Sequence, residues 1–577
     1  MQLYFTKSVC PVCLRTLTAE ISGDADGVYM DKTCPEHWHF HSLIWEDSAE
    51  NYLRWLEYGG MRPEALPKTA EEAERVLAGA DFADCACCQP ASSALMTTNR
   101  CNMDCPVCFT RDKKEPIHEP DLETCGRLLR GYRARAGEDA IVELCGGEPT
   151  VREDICELAS LARDIGFDFI QLNTNGVRLA QDPTLAQRLK KAGLSFVFMQ
   201  FDGVDDDVYR ATRGEPLLDM KCKAIENCGA ANLGVTLVPT LVPGVNTQQI
   251  GEIISFAIAA SPAVRGVHFQ PVSYFGRYPK APTDDMRYTI PQLIRALNEQ
   301  AGISPDCFAL SSCDHPMCGF HGDFIVMPDG LLSLTKGQRE QKRAEQEGCC
   351  CGAPITVATQ EGCCGSKPIA ADGQEECCCG ATDTKNVAQS ECCDNTREKT
   401  QQEGCNCETP EEKTQQKGCC CDGPAEHTEE SGEKKASCCC GAPLSVTMDK
   451  EEKDCCSDAV PVLQDHQGCC CGAPLPATLK ETDREERPKN HLPSMEAVLK
   501  NRQFVARRWL REESSDQEVD TTSLEGFYSR LKSHGFTITA MAFQDAYTVD
   551  INRLRHCSLH IYHEGKIMPF CLRYILR

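Results

Sequence analysis

The hydrophobic pattern between residues 94 and 271 alternates short apolar runs with longer amphipathic stretches. Six apolar runs, bounded by glycine or polar residues, predict buried strands at 94–98, 140–145, 168–173, 196–201, 234–241 and 266–271. The stretches between them, such as 121–136, 153–165, 183–192 and 247–260, have the apolar spacing of helices. Regular alternation of strand and helix predicts parallel βα units and an α/β fold.

The pattern changes on both sides of this region. The apolar pattern predicts helices in residues 41–80 and in the basic stretch 495–511. It predicts a helix followed by strands in residues 523–577. Residues 337–490 contain no Phe, Tyr or Trp, so they cannot bury enough apolar surface to offset chain entropy and are predicted to be disordered. We therefore expect five segments, which are 1–90, 91–300, 301–336, 337–490 and 491–577.

Composition narrows the class of protein. The 577 residues carry a net charge of −26, which argues against nucleic-acid binding as the main task. There is no run of eighteen apolar residues, and the first residues lack the apolar stretch of a signal peptide, so we expect a cytoplasmic protein without a membrane span. In a reducing compartment, 42 cysteines indicate metal or redox chemistry rather than disulfides.

Three cysteines share one short loop, with three residues between Cys101 and Cys105 and two between Cys105 and Cys108. Thiolates at this density select iron–sulfur clusters, zinc or copper(I). Three ligands to a four-iron cluster leave one iron open to a small molecule, which favours a reaction centre over a closed site. The alternative is a zinc knuckle. It is weakened by the loop Gly146–Thr150 (Gly-Gly-Glu-Pro-Thr), which can approach a ligand through bare backbone.

The two motifs together resemble the radical SAM superfamily. The stretches LNTNGVRLA, FMQFDG, VTLVPTLVPGVN and GVHFQPVSYFGRYP resemble the branch that contains the pterin methyltransferases and tetraether lipid synthases. Residues 1–336 and 495–577 resemble the group called radical SAM (seleno)protein TrsS. The resemblance implies a partial (β/α)6 barrel with a Cys-rich N-terminal cap and a C-terminal cluster-binding cap. It also implies a [4Fe-4S] cluster on Cys101, Cys105 and Cys108, whose open iron binds S-adenosylmethionine.

Polar motifs recur at successive strand ends, where ligands of such barrels bind. The Gly146–Pro149 loop is expected to meet the amino group of S-adenosylmethionine. The cofactor-binding residues that the resemblance implies are Gly146, Gly147, Glu148, Pro149, Asn173, Asn175, Asp202, Pro239 and Gln270. Cys145 departs from the family, where Ser or Thr is usual. It is either a small buried replacement or a thiol that accepts a hydrogen atom or meets a sulfur-containing substrate.

A second set of cysteines lies near the N-terminus. Cys10 and Cys13 are two residues apart, which places both thiolates on one turn, and Cys34 follows as a third ligand. This spacing predicts a mononuclear zinc or rubredoxin-like iron site. The fourth ligand is either His37 or a thiol from the group Cys85, Cys87 and Cys88.

A third set joins distant parts of the chain. In the family resemblance, Cys313, Cys318, Cys557 and Cys571 look like the ligands of an auxiliary [4Fe-4S] cluster. The alternatives are a zinc site, or a cluster that uses Cys307 or His315 instead.

The segment 337–490 holds 23 of the 42 cysteines, many in a recurring Cys-Cys-Cys-Gly-Ala theme. Three interpretations stay open. The segment is a sink for soft metal ions, a thiol relay for electrons, sulfur or selenium, or a low-complexity repeat with no defined task.

The resemblance implies an enzyme that cleaves S-adenosylmethionine to a 5′-deoxyadenosyl radical, which abstracts hydrogen from a small-molecule or lipid-like substrate. Methylation or C–C bond formation is the expected outcome, with an external electron donor such as flavodoxin or ferredoxin. One alternative is a maturase of a peptide or protein. Another is a non-catalytic metal- or selenium-handling protein, against which the intact Cys101, Cys105, Cys108 and Glu148 argue.

Overall fold

A computed structural model of the chain describes residues 1–76, 92–108, 116–137, 140–275, 278, 280–310, 314–336, 509–510, 523–563 and 566–576. Several predictions from sequence fall on other residues. The segment 337–490, Cys85, Cys87, Cys88 and Cys313 all lie outside the described residues, as does the predicted helix 495–511 apart from Trp509 and Leu510.

The N-terminal region is a four-stranded antiparallel sheet in the order β1-β2-β3-β4. Its strands are β1 (Gln2–Val9), β2 (Thr16–Gly23), β3 (Val28–Cys34) and β4 (Trp38–Trp45). Alternate residues of β2 and β3 are buried, as expected for strands with one face on a core. Helices α1 (Ala49–Tyr58) and α2 (Ala70–Val76) follow, and Ser48 caps α1 by accepting from the backbone N–H of Asn51.

The central region contains the predicted alternation of strands and helices. Its strands are β5 (Ser92–Thr98), β6 (Ile141–Gly146), β7 (Phe169–Thr174), β8 (Phe196–Gln200), β9 (Gly234–Val238), the short β10 (Thr240–Leu241) and β11 (Val264–Pro271). Its helices are α3 (Leu122–Ala136), α4 (Ile155–Ile165), α5 (Val177–Gln181), α6 (Leu185–Ala192), α7 (Asp206–Arg213), α8 (Leu218–Ala230) and α9 (Ile250–Ala259). Neighbouring strands from β5 to β11 pair in parallel, which confirms the partial α/β barrel.

The remaining elements come from either side of residues 337–508. They are α10 (Ile290–Ala301), β12 (Ala309–Leu310), β13 (Gly319–Met327), β14 (Gly330–Ser333), α11 (Leu524–His534), β15 (Gly535–Met541), α12 (Ile551–Arg555), β16 (Leu559–His563), β17 (Lys566–Pro569) and α13 (Phe570–Ile575). The sheet runs in the order β12-β13-β15-β11-β9-β8-β7-β6-β5-β16-β17.

The C-terminal segment therefore extends the barrel sheet at both edges. Strand β15 pairs in parallel with β11 at one edge, and β16 pairs in parallel with β5 at the other. The side chain of Arg265 on β11 donates to the carbonyl oxygens of Lys532 and Ser533, which joins the end of α11 to the sheet. Sequence patterns predicted the strands after residue 523 but not their places in the barrel.

A buried tryptophan closes the end of the barrel where the strands begin. Trp509 packs with Ile141, Phe169 and Phe196, each the first residue of its strand. Its indole N–H donates to Thr537 Oγ1 on β15 at 2.9 Å. The opposite end, where the parallel strands finish, is the end at which the sequence motifs lie.

Within the described parts of the chain, no helix has both the length and the apolar character needed to cross a membrane.

We expect the substitution Ile538→Ala to destabilise the protein by about 2–5 kcal/mol, because it removes a fully buried side chain from β15. Leu524→Ala in the same C-terminal segment is the control. Leu524 is 73% exposed, and its loss should change the free energy of unfolding by less than about 0.5 kcal/mol. Urea unfolding followed by circular dichroism measures both. Equal effects of the two substitutions would show that β15 is not part of the core.

Candidate active site and metal centres

The loop that carries Cys101, Cys105 and Cys108 follows directly from β5. Met103 anchors it, because this buried side chain packs with Val177 and Tyr209, and the first two cysteines contact the same cluster. The backbone N–H of Met103 donates to Cys101 Sγ at 3.4 Å. Burial raises the pKa of Cys101 to about 11, so a metal that binds this thiol must displace its proton.

The glycines after β6 lie against the chain that leads into this loop. The backbone N–H of Gly147 donates to the Thr98 carbonyl at 2.8 Å, and that of Glu148 donates to the Arg100 carbonyl at 2.9 Å. A Cβ on Gly146 would overlap the carbonyl oxygen of Thr98, and one on Gly147 would overlap that of Arg100. Only glycine permits this approach, which places the two motifs side by side.

The carboxylate of Glu148 is buried and joins two strand ends. Oε1 accepts from the N–H and Oγ1 of Thr150 at 3.1 and 2.6 Å, and from Thr174 Oγ1 at 2.6 Å. Oε2 accepts from the backbone N–H of Asn175 at 2.6 Å. The Asn175 amide in turn donates to Asn102 Oδ1 at 2.8 Å, inside the thiol loop. A carboxylate offers about four lone-pair sites, so Oε2 keeps capacity for one more donor.

A buried ion pair lies beneath the thiol loop. Arg213 Nε donates to Asp202 Oδ2 at 2.5 Å and its terminal nitrogen donates to Oδ1 at 2.9 Å, a bidentate arrangement. Asp202 is fully buried and also accepts from Thr212 Oγ1 and the Thr240 N–H. Burial raises the pKa of Cys105, while the positive charge of Arg213 acts in the opposite direction.

Lys221 adds a second buried cation. Its Nζ donates to the carbonyl oxygen of Asn175 at 2.5 Å and to Gln200 Oε1 at 2.7 Å. Burial lowers the pKa of Lys221 to about 7. Sequence reasoning missed both Arg213 and Lys221. They lie on helices rather than at strand ends, and no motif spacing marks them.

The barrel interior is polar beside Cys145. Asn173 Nδ2 donates to Cys145 Sγ at 2.8 Å and to Glu143 Oε2 at 3.2 Å, so the predicted site residue Asn173 faces this interior. Burial raises the pKa of Cys145 well above its usual value. Pro239 and Gln270 meet at the neighbouring strand ends, where the Gln270 N–H donates to the Pro239 carbonyl at 2.9 Å.

The N-terminal cysteines converge as predicted. Ligand atoms of Cys10, Cys13, Cys34 and His37 all lie within 4.8 Å of one another, which suits a single tetrahedral ion. His37 Nδ1 is 3.7 Å from Cys10 Sγ and 3.5 Å from Cys34 Sγ. The Val12 N–H donates to Cys10 Sγ at 3.4 Å, as backbone groups do around metal-bound thiolates. His37 therefore completes a four-ligand set without the thiols at 85–88.

Three of the four predicted C-terminal ligands, Cys318, Cys557 and Cys571, interact electrostatically. Removal of the Cys557 thiol from water raises its pKa well above the usual value, and charges on Cys571 and Cys318 would act in the same direction. Arg553 donates to Cys318 Sγ at 3.7 Å, and the Gln544 N–H donates to Cys571 Sγ at 3.3 Å. The fourth predicted ligand, Cys313, lies outside the described residues. Of the alternative ligands, His315 is buried near His556 and Cys307 packs against the main core.

These arrangements fit the expected groups. A thiol loop lies against a glycine loop whose Cβ positions are filled by backbone, and an acceptor remains on Glu148 Oε2. Such a place can hold a cluster and the amino acid part of a cofactor. The four-ligand N-terminal set fits zinc.

Comparison with known families gives two matches. Residues 95–257 match the radical SAM superfamily, and residues 2–46 match the HMPTM N-terminal zinc ribbon domain. The zinc ribbon match covers Cys10, Cys13, Cys34 and His37.

Curated relatives and a solved structure are similar to parts of this chain. A 7,8-dihydro-6-hydroxymethylpterin dimethyltransferase of Methanocaldococcus jannaschii is 39% identical over 302 residues, covering 51% of this chain and 58% of that protein. A GTP 3′,8-cyclase of Marinobacter nauticus is 33% identical, covering 28% of this chain and 49% of that protein. Streptococcus suis SuiB bound to the precursor peptide SuiA aligns at 14% identity and TM-score 0.31, covering 51% of this chain and 68% of that chain. This chain thus spans about half the length of the curated relatives it matches.

Replacing Arg213 with Met should destabilise the protein by about 3–5 kcal/mol, because the Asp202 carboxylate stays buried without its cation. Arg210→Met on the same helix is the matched control. The partner of Arg210 is Asp207, and these side chains are 56% and 91% exposed, so that loss should cost less than about 1 kcal/mol. Urea unfolding of the two variants measures the difference. Similar losses would show that the buried pair contributes no more than a surface pair.

Proposed function

We propose that this chain is a radical SAM enzyme that acts on a small heterocyclic substrate, because residues 95–257 match the radical SAM superfamily. One observation carries the proposal. The loop of Cys101, Cys105 and Cys108 directly follows Thr98 and Arg100, whose carbonyls accept from the glycine loop, at the end of the barrel where the parallel strands finish.

Cys101, Cys105 and Cys108 would hold a [4Fe-4S] cluster with one open iron for the amino and carboxylate groups of S-adenosylmethionine. The bound and reduced cluster would, together with the cofactor, supply a 5′-deoxyadenosyl radical for hydrogen abstraction from the substrate. The protein would position the cofactor and shield it from water. Glu148 Oε2 has acceptor capacity for the amino group, and its other hydrogen bonds hold the loop at Asn175 and Thr174.

Apolar side chains shield the barrel interior. Cys145 packs in a buried cluster with Phe275, Phe570 and Tyr574, the last two from α13. This cover keeps water from the place where a radical would form. Asp202, Arg213 and Lys221 lie beneath the thiol loop and act as positioning residues in this proposal.

The interior favours a polar, planar substrate over a lipid. Both Asn173 N–H groups are used within the protein, but the oxygens of Glu143 and Asn173 keep lone pairs that can accept from ring N–H groups. The Methanocaldococcus relative is named for methylation of a pterin, which has such groups. We therefore propose methylation, or another C–C bond formation, on a pterin-like heterocycle.

The proposal implies further partners. One-electron reduction of the cluster needs an external donor such as flavodoxin or ferredoxin. Cys318, Cys557 and Cys571 would ligate an auxiliary cluster, and Cys10, Cys13, Cys34 and His37 would hold zinc. Clusters and 42 cysteines suit a reducing compartment, so we propose a cytoplasmic location.

The first test measures cofactor cleavage. We expect the anaerobically reconstituted and reduced protein to convert S-adenosylmethionine to 5′-deoxyadenosine. A variant with Cys101→Ala, Cys105→Ala and Cys108→Ala should fall to the level of the reaction without reductant, since the chemistry belongs to the bound cofactors. The control carries Cys156→Ala and Cys222→Ala, two half-buried thiols outside the three sites. Product from the triple variant, or none from the control, would contradict the assignment.

The same reaction tests the substrate class. With 7,8-dihydro-6-hydroxymethylpterin deuterated at its carbon-bound hydrogens, the 5′-deoxyadenosyl radical should abstract deuterium, and mass spectrometry should show deuterium in the 5′-deoxyadenosine. Cofactor cleavage without deuterium in 5′-deoxyadenosine would keep the radical enzyme and exclude this substrate.

Iron content tests the auxiliary site. Starting from the Cys101, Cys105 and Cys108 variant, we expect further replacement of Cys318, Cys557 and Cys571 by Ala to remove about four irons per chain. Both proteins retain residues 337–490, so the difference isolates the C-terminal thiols. Cys307→Ala is the control, because that thiol packs against the core. Unchanged iron, or loss on Cys307→Ala alone, would contradict the ligand set.

A further inference from the structure

A second group of metal-ligating side chains lies on the N-terminal sheet, apart from the cysteines. Asp31 Oδ1 is 3.0 Å from His39 Nε2 and 2.8 Å from His41 Nδ1. All three ligand atoms lie within 4.8 Å of one another. Two ligands about 2.0 Å from one ion in a tetrahedral arrangement are about 3.3 Å apart, so a small opening of this group accommodates an ion.

Strand register creates the group. Asp31 stands opposite His41 across the β3–β4 ladder, and Thr33 stands opposite His39. Residues two apart on a strand share a face, so both imidazoles and the carboxylate project on one side. The other side of β3 carries the buried Met30, Lys32 and Cys34, which contact the interior. The group is therefore on the outer face of the sheet.

Further contacts hold the three side chains in place. Thr33 Oγ1 lies 3.3 Å from His39 Nδ1, the ring nitrogen that faces away from Asp31. Ser22 Oγ donates to Asp31 Oδ2 at 3.4 Å, and Tyr29 stacks on the His41 ring with centroids 4.5 Å apart. Partners on the second atom of a ligand are the usual surroundings of a metal site, since they fix the ring orientation.

We propose that Asp31, His39 and His41 bind a divalent zinc ion at an open, exchangeable site, separate from the Cys10, Cys13, Cys34 and His37 set. Two imidazoles and one carboxylate form a ligand set that zinc accepts, with a fourth position left for water or an external ligand. The side chains of His39 and His41 are 56% and 47% exposed, and that of Asp31 is 24% exposed. An ion here meets solvent directly, whereas Cys10 and Cys34 are buried.

The other explanation of this geometry is a pair of hydrogen bonds from imidazole N–H groups to Asp31. The two explanations differ in their response to zinc. A bound ion occupies Nε2 of His39 and Nδ1 of His41, and blocks their reaction with diethyl pyrocarbonate. If the imidazoles only donate hydrogen bonds to Asp31, free zinc does not change their reaction with diethyl pyrocarbonate.

The test uses the full chain, first saturated with zinc at low free concentration so that its thiols are occupied. Free zinc is then raised, and carbethoxylation of each histidine is followed by tandem mass spectrometry. At free zinc ten times the dissociation constant, we expect modification of His39 and His41 to fall about tenfold. His118, which is exposed and belongs to neither set, should be unaffected.

The variant Asp31→Asn provides the matched control. It keeps both histidines as reporters and removes the anionic ligand, so protection of His39 and His41 should be lost or should need much higher zinc. Protection of His37 at low free zinc should persist in this variant, which shows that the sheet is intact. The proposal is overturned if His39 and His41 react like His118 at every zinc concentration. It is also overturned if zinc protects both histidines equally well in the Asp31→Asn variant and in the natural chain.

Discussion

The carboxylate of Glu148 is the constraint on which the rest of the site depends. It is buried, so each of its oxygens must be satisfied from within the protein, and the donors come from Thr150, Thr174 and Asn175. These hydrogen bonds fix the end of β6 relative to the end of β7. Because Asn175 continues to Asn102, the same network reaches the thiol loop after β5. The ends of β5, β6 and β7 are thus joined by one hydrogen-bond network. This network fixes the position of the thiol loop relative to the three strands.

The two cations beneath this contact have different electrostatic roles. Arg213 has a bidentate carboxylate partner, so its charge is compensated whether or not the thiols ionise. Among the residues that the structure describes, the acceptors of Lys221 are the neutral oxygens of Asn175 and Gln200, and burial lowers its pKa to about 7. The negative charge of Asp202 is the largest influence that raises this pKa, and charges on Glu148 and Cys105 act in the same direction. Ionisation of the loop therefore favours the proton on Lys221, and this offsets part of the cost of gathering thiolates in a buried place.

The barrel was predictable from sequence because its order is local. Each strand from β5 to β11 is a short apolar run followed by an amphipathic helix, and parallel strands require such connections. The thiol and glycine motifs are also contiguous in sequence. Asp202 and Arg213 are not contiguous in sequence. Their ion pair depends on how α7 packs against the end of β8, so no local motif indicates it. The group of Asp31, His39 and His41 depends on the register of β3 against β4, which alternation alone does not specify.

The positions of β15 and β16 in the sheet could not be predicted from sequence, for a different reason. Ile561 on β16 stands opposite Ala94 on β5, and Phe536 on β15 opposite Phe324 on β13, so pairing joins residues that are remote in sequence. Local patterns carry no information about such partners. Phe536, Ile538 and Ile561 are fully buried, so the burial of apolar side chains stabilises these pairings between residues that are remote in sequence.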